Sequence, residues 1–133
     1  MIQQESSRWV RQQGVVPHDH PAYTSAGRLP CRYVIHAVGP VWGSGEEDEK
    51  LAAAVKGSLD LADQLSLKSI AIPAISTGIY GFPKEQAASV IINSIRDHFK
   101  KETVTNLTLV RIVIIDQPTM TAFKEIWDST PFE

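Results

Sequence analysis

Apolar positions recur at two spacings along the chain, and together they predict an alternation of helices and strands. Ile2, Ser6, Trp9, Val10 and Gln13 fall at helical spacing among charged and amide residues, with Gly14 where a C-terminal cap would sit. From Val15 to Pro30 prolines and glycines predict loop around a short strand at Ala22 to Ser25. Tyr33 to Val38 is apolar except for His36 and ends at Gly39-Pro40, as a buried strand would. Behind the flexible Gly43-Ser44-Gly45, the acidic run Glu46-Glu47-Asp48-Glu49 opens a helix with Leu51, Val55, Leu59 and Ala62 in one stripe.

The pattern continues with an apolar run, Ser69 to Ile75, in which Pro73 stands near the end where ladder bonds stop. Pro83 suits a first helical position, and Ala87, Ile91, Ile95 and Phe99 follow at four-residue intervals before Lys100 and Lys101. Leu107 to Ile115 predicts a strand covered on both faces, and Met120, Phe123 and Trp127 a closing amphipathic helix. Strand-helix alternation implies parallel strands with right-handed crossovers, and a ligand beyond their carboxyl ends. The loops to inspect are Gly39 to Gly45, Ser76 to Phe82 and Asp116 to Thr119.

At 133 residues, with 43% hydrophobic and 21% charged side chains, the chain has the size and composition of one globular domain. A net charge of −2 disfavours extended nucleic-acid binding. No apolar run reaches membrane-spanning length and the N-terminus has no signal-peptide character, which leads us to expect a cytoplasmic address. The only cysteine, Cys31, has no internal disulfide partner, consistent with a reducing compartment.

The loop Ser76-Thr77-Gly78-Ile79-Tyr80-Gly81-Phe82-Pro83 joins a predicted strand to a helix N-terminus, where unpaired N–H groups and the helix dipole favour an anion. Gly78 and Gly81 permit positive φ and close approach of a diphosphate, Ser76 and Thr77 add hydroxyls, and Tyr80 and Phe82 are placed to flank a ribose or base. On spacing alone the two glycines more readily serve a tight strand-to-helix turn. Lys84 follows a proline and precedes Glu85, so the Gly-Lys-Ser/Thr ending of an ATP-hydrolysing phosphate loop is absent.

Ser69 to Pro83 closely resembles the diphosphate-loop region of macrodomains. Gly27 to Trp42 and the strand ending at Asp116 resemble the same family in the same order, so the resemblance covers essentially the whole chain. It implies a three-layer α/β/α sandwich with a mostly parallel mixed sheet, forming a single domain over residues 1–133. It further implies a module that binds ADP-ribose or ADP-ribosylated molecules, or processes ADP-ribose phosphate, without metal or cofactor. Ser76, Thr77, Gly78, Ile79, Tyr80, Gly81 and Phe82 would wrap the diphosphate and distal ribose, with backbone N–H groups from Gly78, Ile79, Tyr80 and Gly81. Gly39 and Pro40 would line the ribose side, and Asp116 would lie near the adenine. Many relatives carry an aromatic residue near the end of the last strand where this chain has Ile115 and Asp116, which implies weaker adenine affinity.

The family's first strands, its adenine-binding aspartate, an Asn-Ala-Ala-Asn-like stretch and its hydrolytic glycine-rich loop have no counterpart here. By the family pattern Met1 falls within the helix after that loop, so the chain reads as a domain begun at an internal methionine. Hydrolysis of ADP-ribosyl or O-acetyl-ADP-ribose esters is then expected only of the complete domain, and no catalytic residue is assigned in this chain. One absent strand lies in the middle of the family's sheet. Its loss leaves edges on Tyr33 to Val38 and Ser69 to Ile75, open to mutual closure, pairing with another chain or aggregation. The alternative reading is a non-catalytic remnant that acts as an interaction module without ligand and self-associates through an exposed sheet edge. A binder of another phosphorylated nucleotide, or of a nucleic-acid end, is a third.

Among other candidates, His18-Asp19-His20 lacks a third metal ligand at recognisable spacing and reads as solvated loop. Cys31 and His36, five residues apart on one strand, point to opposite faces and cannot pair as nucleophile and base. His36 reads as a core histidine with a satisfied ring nitrogen. Trp9 and Trp127 fall on helical stripes as packing residues, whereas Trp42 follows the Gly39-Pro40 turn on the presumed ligand side.

Overall fold

The computed structural model describes residues 17–100 and 105–129. The helix expected over Ile2 to Gln13, with Trp9, lies outside them. The described elements run β1 (Ala22–Ser25), β2 (Tyr33–His36), α1 (Glu47–Gln64), β3 (Ser69–Pro73), α2 (Lys84–Lys100), β4 (Leu109–Val113) and α3 (Gln117–Ser129).

The helices form where the periodicity places them. Leu51, Val55, Leu59 and Ala62 of α1 are fully buried, as are Ala87 and Ile91 of α2, and they join Phe123 of α3 in one core. Each large aliphatic side chain so buried contributes about 1.5–3 kcal/mol. α1 ends in a Schellman turn: Ser66 takes a left-handed conformation, its N–H donates to Asp63 O, and the Leu67 N–H donates to Ala62 O. Pro83 precedes α2, and its carbonyl accepts the first helical bond from the Ala87 N–H. α2 packs between α1 and α3.

The strands form two separate ladders, β1–β2 antiparallel and β3–β4 parallel. In β3, Ile70 and Ile72 pack against the helical core while Ser69, Ala71 and Pro73 are exposed. β4 repeats this, with Val110 and Ile112 inward and Leu109 and Val113 exposed. The expected coverage of both faces of β4 is therefore not met among the described residues, whose helices supply one layer. β2 also differs from the fully buried six-residue strand expected, since it spans four residues and is half-buried throughout. Among the described residues it has one hydrogen-bonded neighbour, β1.

Between β2 and β3 lies a cavity of about 830 Å³, lined by both strands and by Ser58 of α1. The two edges do not close on each other. At their carboxyl ends the chains following β2 and β3 do meet: a Cβ built on Gly39 would overlap the Ser76 hydroxyl and stand 2.5 Å from Ile75 Cγ2. β2 and β3 thus run toward the same end of the molecule, where the candidate site is built.

Candidate functional site

The site rises from two crossing loops. After β2, Gly39 and Pro40 are buried, and the chain emerges at Val41 and Trp42. After β3, Ser76 adopts positive φ and the chain turns through Thr77 to Gly81. A hydrogen bond joins the loops, from the Trp42 N–H to Tyr80 O at 2.8 Å, and the Trp42 and Phe82 rings stand 5.0 Å apart.

The second loop is fixed from within. The Thr77 hydroxyl donates to Ala74 O, the Gly81 N–H to Gly78 O, and the Phe82 N–H to Ser76 O at 2.7, 3.0 and 2.9 Å. Gly81 has φ +76, a backbone that favours glycine. Of the four N–H groups expected to face a diphosphate, that of Gly81 is therefore committed inside the loop. Those of Gly78, Ile79 and Tyr80 donate to nothing among the described residues. No atom stands within 4 Å of a Cβ built on Gly78, and Ile79 is fully exposed. Three successive free donors therefore precede the amino end of α2, the setting in which backbone N–H groups and helix dipole favour an anion.

Phe82 was expected to flank a ribose or base, but it is 2% exposed and belongs to the core beneath Trp42. It anchors the loop, leaving Ile79, Tyr80, Trp42 and Val41 as the exposed apolar groups beside it. Asp116 lies three residues beyond Val113, as Ser76 lies three beyond Pro73, and Pro73 and Val113 are register partners. All three loops thus stand at one end of the strands. The Asp116 carboxylate accepts a 3.0 Å bond from the Thr119 hydroxyl at the start of α3, while Ile115 is almost fully exposed.

Glu47 has a role that spacing did not suggest. Its Oε1 accepts the N–H groups of Gly43 and Gly45, each at 3.0 Å, shaping the loop after Trp42. Its own N–H and that of Gly45 hold its carboxyl below the usual range. A Gly-Ser-Gly followed two residues later by Glu was the available signal.

A family model described as Macro domain matches residues 1–91. The chain belongs to the macro domain family. This macro domain is 50% identical to an uncharacterized Thermotoga maritima protein over 94% of its own length but 21% of that protein's. It is similar to the Oceanobacillus iheyensis macrodomain solved with ADP, with a TM-score of 0.81 and 30% identity over 92% of this chain and 66% of that one. It also resembles the Trypanosoma brucei macrodomain solved in complex with ADP-ribose, with a TM-score of 0.72 and 28% identity over 79% of this chain and 44% of that one. The macro domain thus carries the family's α/β sandwich and spans only part of these relatives.

The remaining candidates settle as structural features. His36 Nε2 lies 2.9 Å from the Thr24 hydroxyl across the β1–β2 ladder. His20 and Asp19 form an exposed pair at 3.0 Å, and His18 Nδ1 bonds to Val38 O. Among the described residues no cluster of ligating side chains could hold a metal, and no helix is long and apolar enough to cross a membrane. Trp127, expected as packing, is half exposed.

Proposed function

We propose that this macro domain binds ADP-ribose or an ADP-ribosyl group on the Ser76–Phe82 loop, with the diphosphate against the N–H groups of Gly78, Ile79 and Tyr80. These three donors carry the proposal, because a diphosphate supplies oxygen acceptors at a matching density and the amino end of α2 adds a favourable field. Gly39 and Pro40 form the neighbouring ribose wall, and Asp116 marks the adenine end. The naming of ADP and ADP-ribose in two solved relatives supports the choice of ligand. We assign recognition to this chain and ester hydrolysis to the complete domain, and we retain the cytoplasmic address read from the sequence.

Calorimetric titration with ADP-ribose tests the reading. Binding is expected for the chain and is lost on Gly78→Glu, which puts a carboxylate where the diphosphate would lie and whose Cβ has no atom within 4 Å. A folded chain that gives no heat, or equal affinity in the variant, rejects it.

A second reading, an interaction module that self-associates through a sheet edge, is favoured by β4, whose hydrogen-bonded neighbour lies on one side alone among the described residues. Concentration-dependent dimerisation without nucleotide binding would support it.

A further inference from the structure

We propose that Glu47 is a positioning residue for the Ser76–Phe82 loop, acting through Trp42, and that ADP-ribose affinity depends on the acceptor oxygen of its side chain and not on its charge. The inference rests on the reading of that loop as the diphosphate site. A run of contacts leading from α1 to the loop carries it.

The run starts in the core. Glu47 opens α1, whose Leu51, Val55 and Leu59 are fully buried, so the packing of the helix fixes its backbone. Between Trp42 and α1, Gly43, Gly45 and Glu46 all take positive φ, at 92°, 95° and 54°. Nothing stands within 4 Å of a Cβ built on either glycine, so packing does not hold them, and glycine is the residue with most freedom to lose. Hydrogen bonds hold them instead. Glu47 Oε1 accepts the N–H groups of Gly43 and Gly45, each at 3.0 Å, and Val41 O accepts the Ser44 N–H and hydroxyl at 3.1 and 2.6 Å. The lowered pKa of the Glu47 carboxyl agrees, since its own N–H and those of Gly45 and Gly43 favour the ionised acceptor.

Trp42 carries this turn onto the other loop. Its N–H donates to Tyr80 O at 2.8 Å, its Cβ stands 3.9 Å from a Cβ built on Gly81, and its ring lies 5.0 Å from that of Phe82. The turn therefore places Tyr80, Gly81 and Phe82 together. Holding the Tyr80 carbonyl against Trp42 also keeps an acceptor from turning among the free N–H groups of Gly78, Ile79 and Tyr80, where it would repel a phosphate oxygen.

Charge alone predicts the opposite sign. A carboxylate near an anion site repels the anion, so its removal should tighten binding. Glu49, exposed and two residues further along α1, carries the same charge and accepts no hydrogen bond from the turn among the described residues, which makes it the control.

The test is calorimetric titration of ADP-ribose into the parent, Glu47→Ala, Glu47→Gln and Glu49→Ala, with amide hydrogen exchange by NMR on the same samples without ligand. Glu47→Ala should weaken binding about tenfold, whereas Glu47→Gln, which keeps an uncharged acceptor oxygen, should stay within about threefold of the parent. Glu49→Ala should bind as the parent does or more tightly. Without ligand, the Trp42 N–H should exchange faster in Glu47→Ala and at the parent's rate in Glu47→Gln, while Ile91 of α2 stays protected in every variant. Parent affinity in Glu47→Ala, or equal losses in the alanine and glutamine variants, would overturn the proposal. If the parent itself gives no heat with ADP-ribose, the ligand reading fails and exchange decides the positioning role: faster Trp42 exchange in Glu47→Ala upholds it, and an unchanged rate overturns it.

Discussion

Gly39 lies directly against Ser76, so close that a side-chain carbon at position 39 would overlap the serine hydroxyl. This contact joins the chain leaving β2 to the chain leaving β3, two strands that share no hydrogen bonds. The Ser76–Phe82 loop therefore depends on a close backbone approach as much as on its own turns.

Gly39→Ala should force these loops apart. Overpacking of this kind costs about 1–3 kcal/mol, and displacement of the loop should weaken ADP-ribose binding about tenfold, equivalent to about 1.4 kcal/mol. Gly78→Ala, with nothing within 4 Å of the new carbon, should leave stability within about 0.5 kcal/mol of the parent. Thermal unfolding and calorimetry on both variants make the comparison.

Recognition by main-chain donors can be separated from recognition by side chains at Ile79, which is fully exposed. Ile79→Ala keeps the N–H and should change ADP-ribose affinity by less than about threefold, whereas Ile79→Pro deletes it and should cost about tenfold or more. If the alanine variant shows the larger loss, the isoleucine side chain is the contact and the proposed N–H cradle fails.

The helices were legible because their signal is local. Leu51, Val55, Leu59 and Ala62 lie within three turns of one another, and all four are buried. The strand Ala22–Ser25 appeared at the predicted residues, and the loops that follow β2 and β3 meet at Gly39 and Ser76. Phe82 was misread because its orientation depends on Trp42, forty residues earlier, whose ring lies 5.0 Å away. β2 was overestimated because an apolar run records what a strand can bury and not whether a neighbour is present to cover it. The cluster around Asp63 left no trace in spacing, since its partners come from segments that meet only in the fold.

Phe82→Ala should test the loop anchor. Removing this buried ring should cost about 3–5 kcal/mol and, by withdrawing support from Trp42 and Tyr80, should also reduce ADP-ribose affinity. Ile91→Ala, in the same core but on α2, should cost about 2–5 kcal/mol with little effect on affinity measured well below its melting temperature. Equal affinities in the two variants would show that Phe82 stabilises the fold without shaping the loop.

Asp63 should govern stability in acid. At the end of α1 its carboxylate accepts the Thr105 hydroxyl at 2.7 Å and the N–H groups of Asn106 and Leu107 at 2.8 and 3.1 Å, and it lies 2.8 Å from Nε2 of the buried His98. The cluster fixes the approach to β4 against α1 and α2. Burial raises the Asp63 pKa, but the hydrogen bonds from Thr105, Leu107 and Asn106 and the adjacent His98 outweigh it and hold the carboxyl below its usual 3.8. A depressed carboxyl adds stability that is complete above the unfolded pKa and is lost as pH falls through the folded one. Asp63→Asn should therefore cost about 1–3 kcal/mol at pH 7 by leaving buried donors poorly matched. In urea unfolding from about pH 7 down to about pH 3, the gap between parent and variant should stay constant at first and narrow below about pH 4, as the parent's carboxylate takes up its proton. A gap unchanged throughout that range would mean that Asp63 contributes by packing and not by charge.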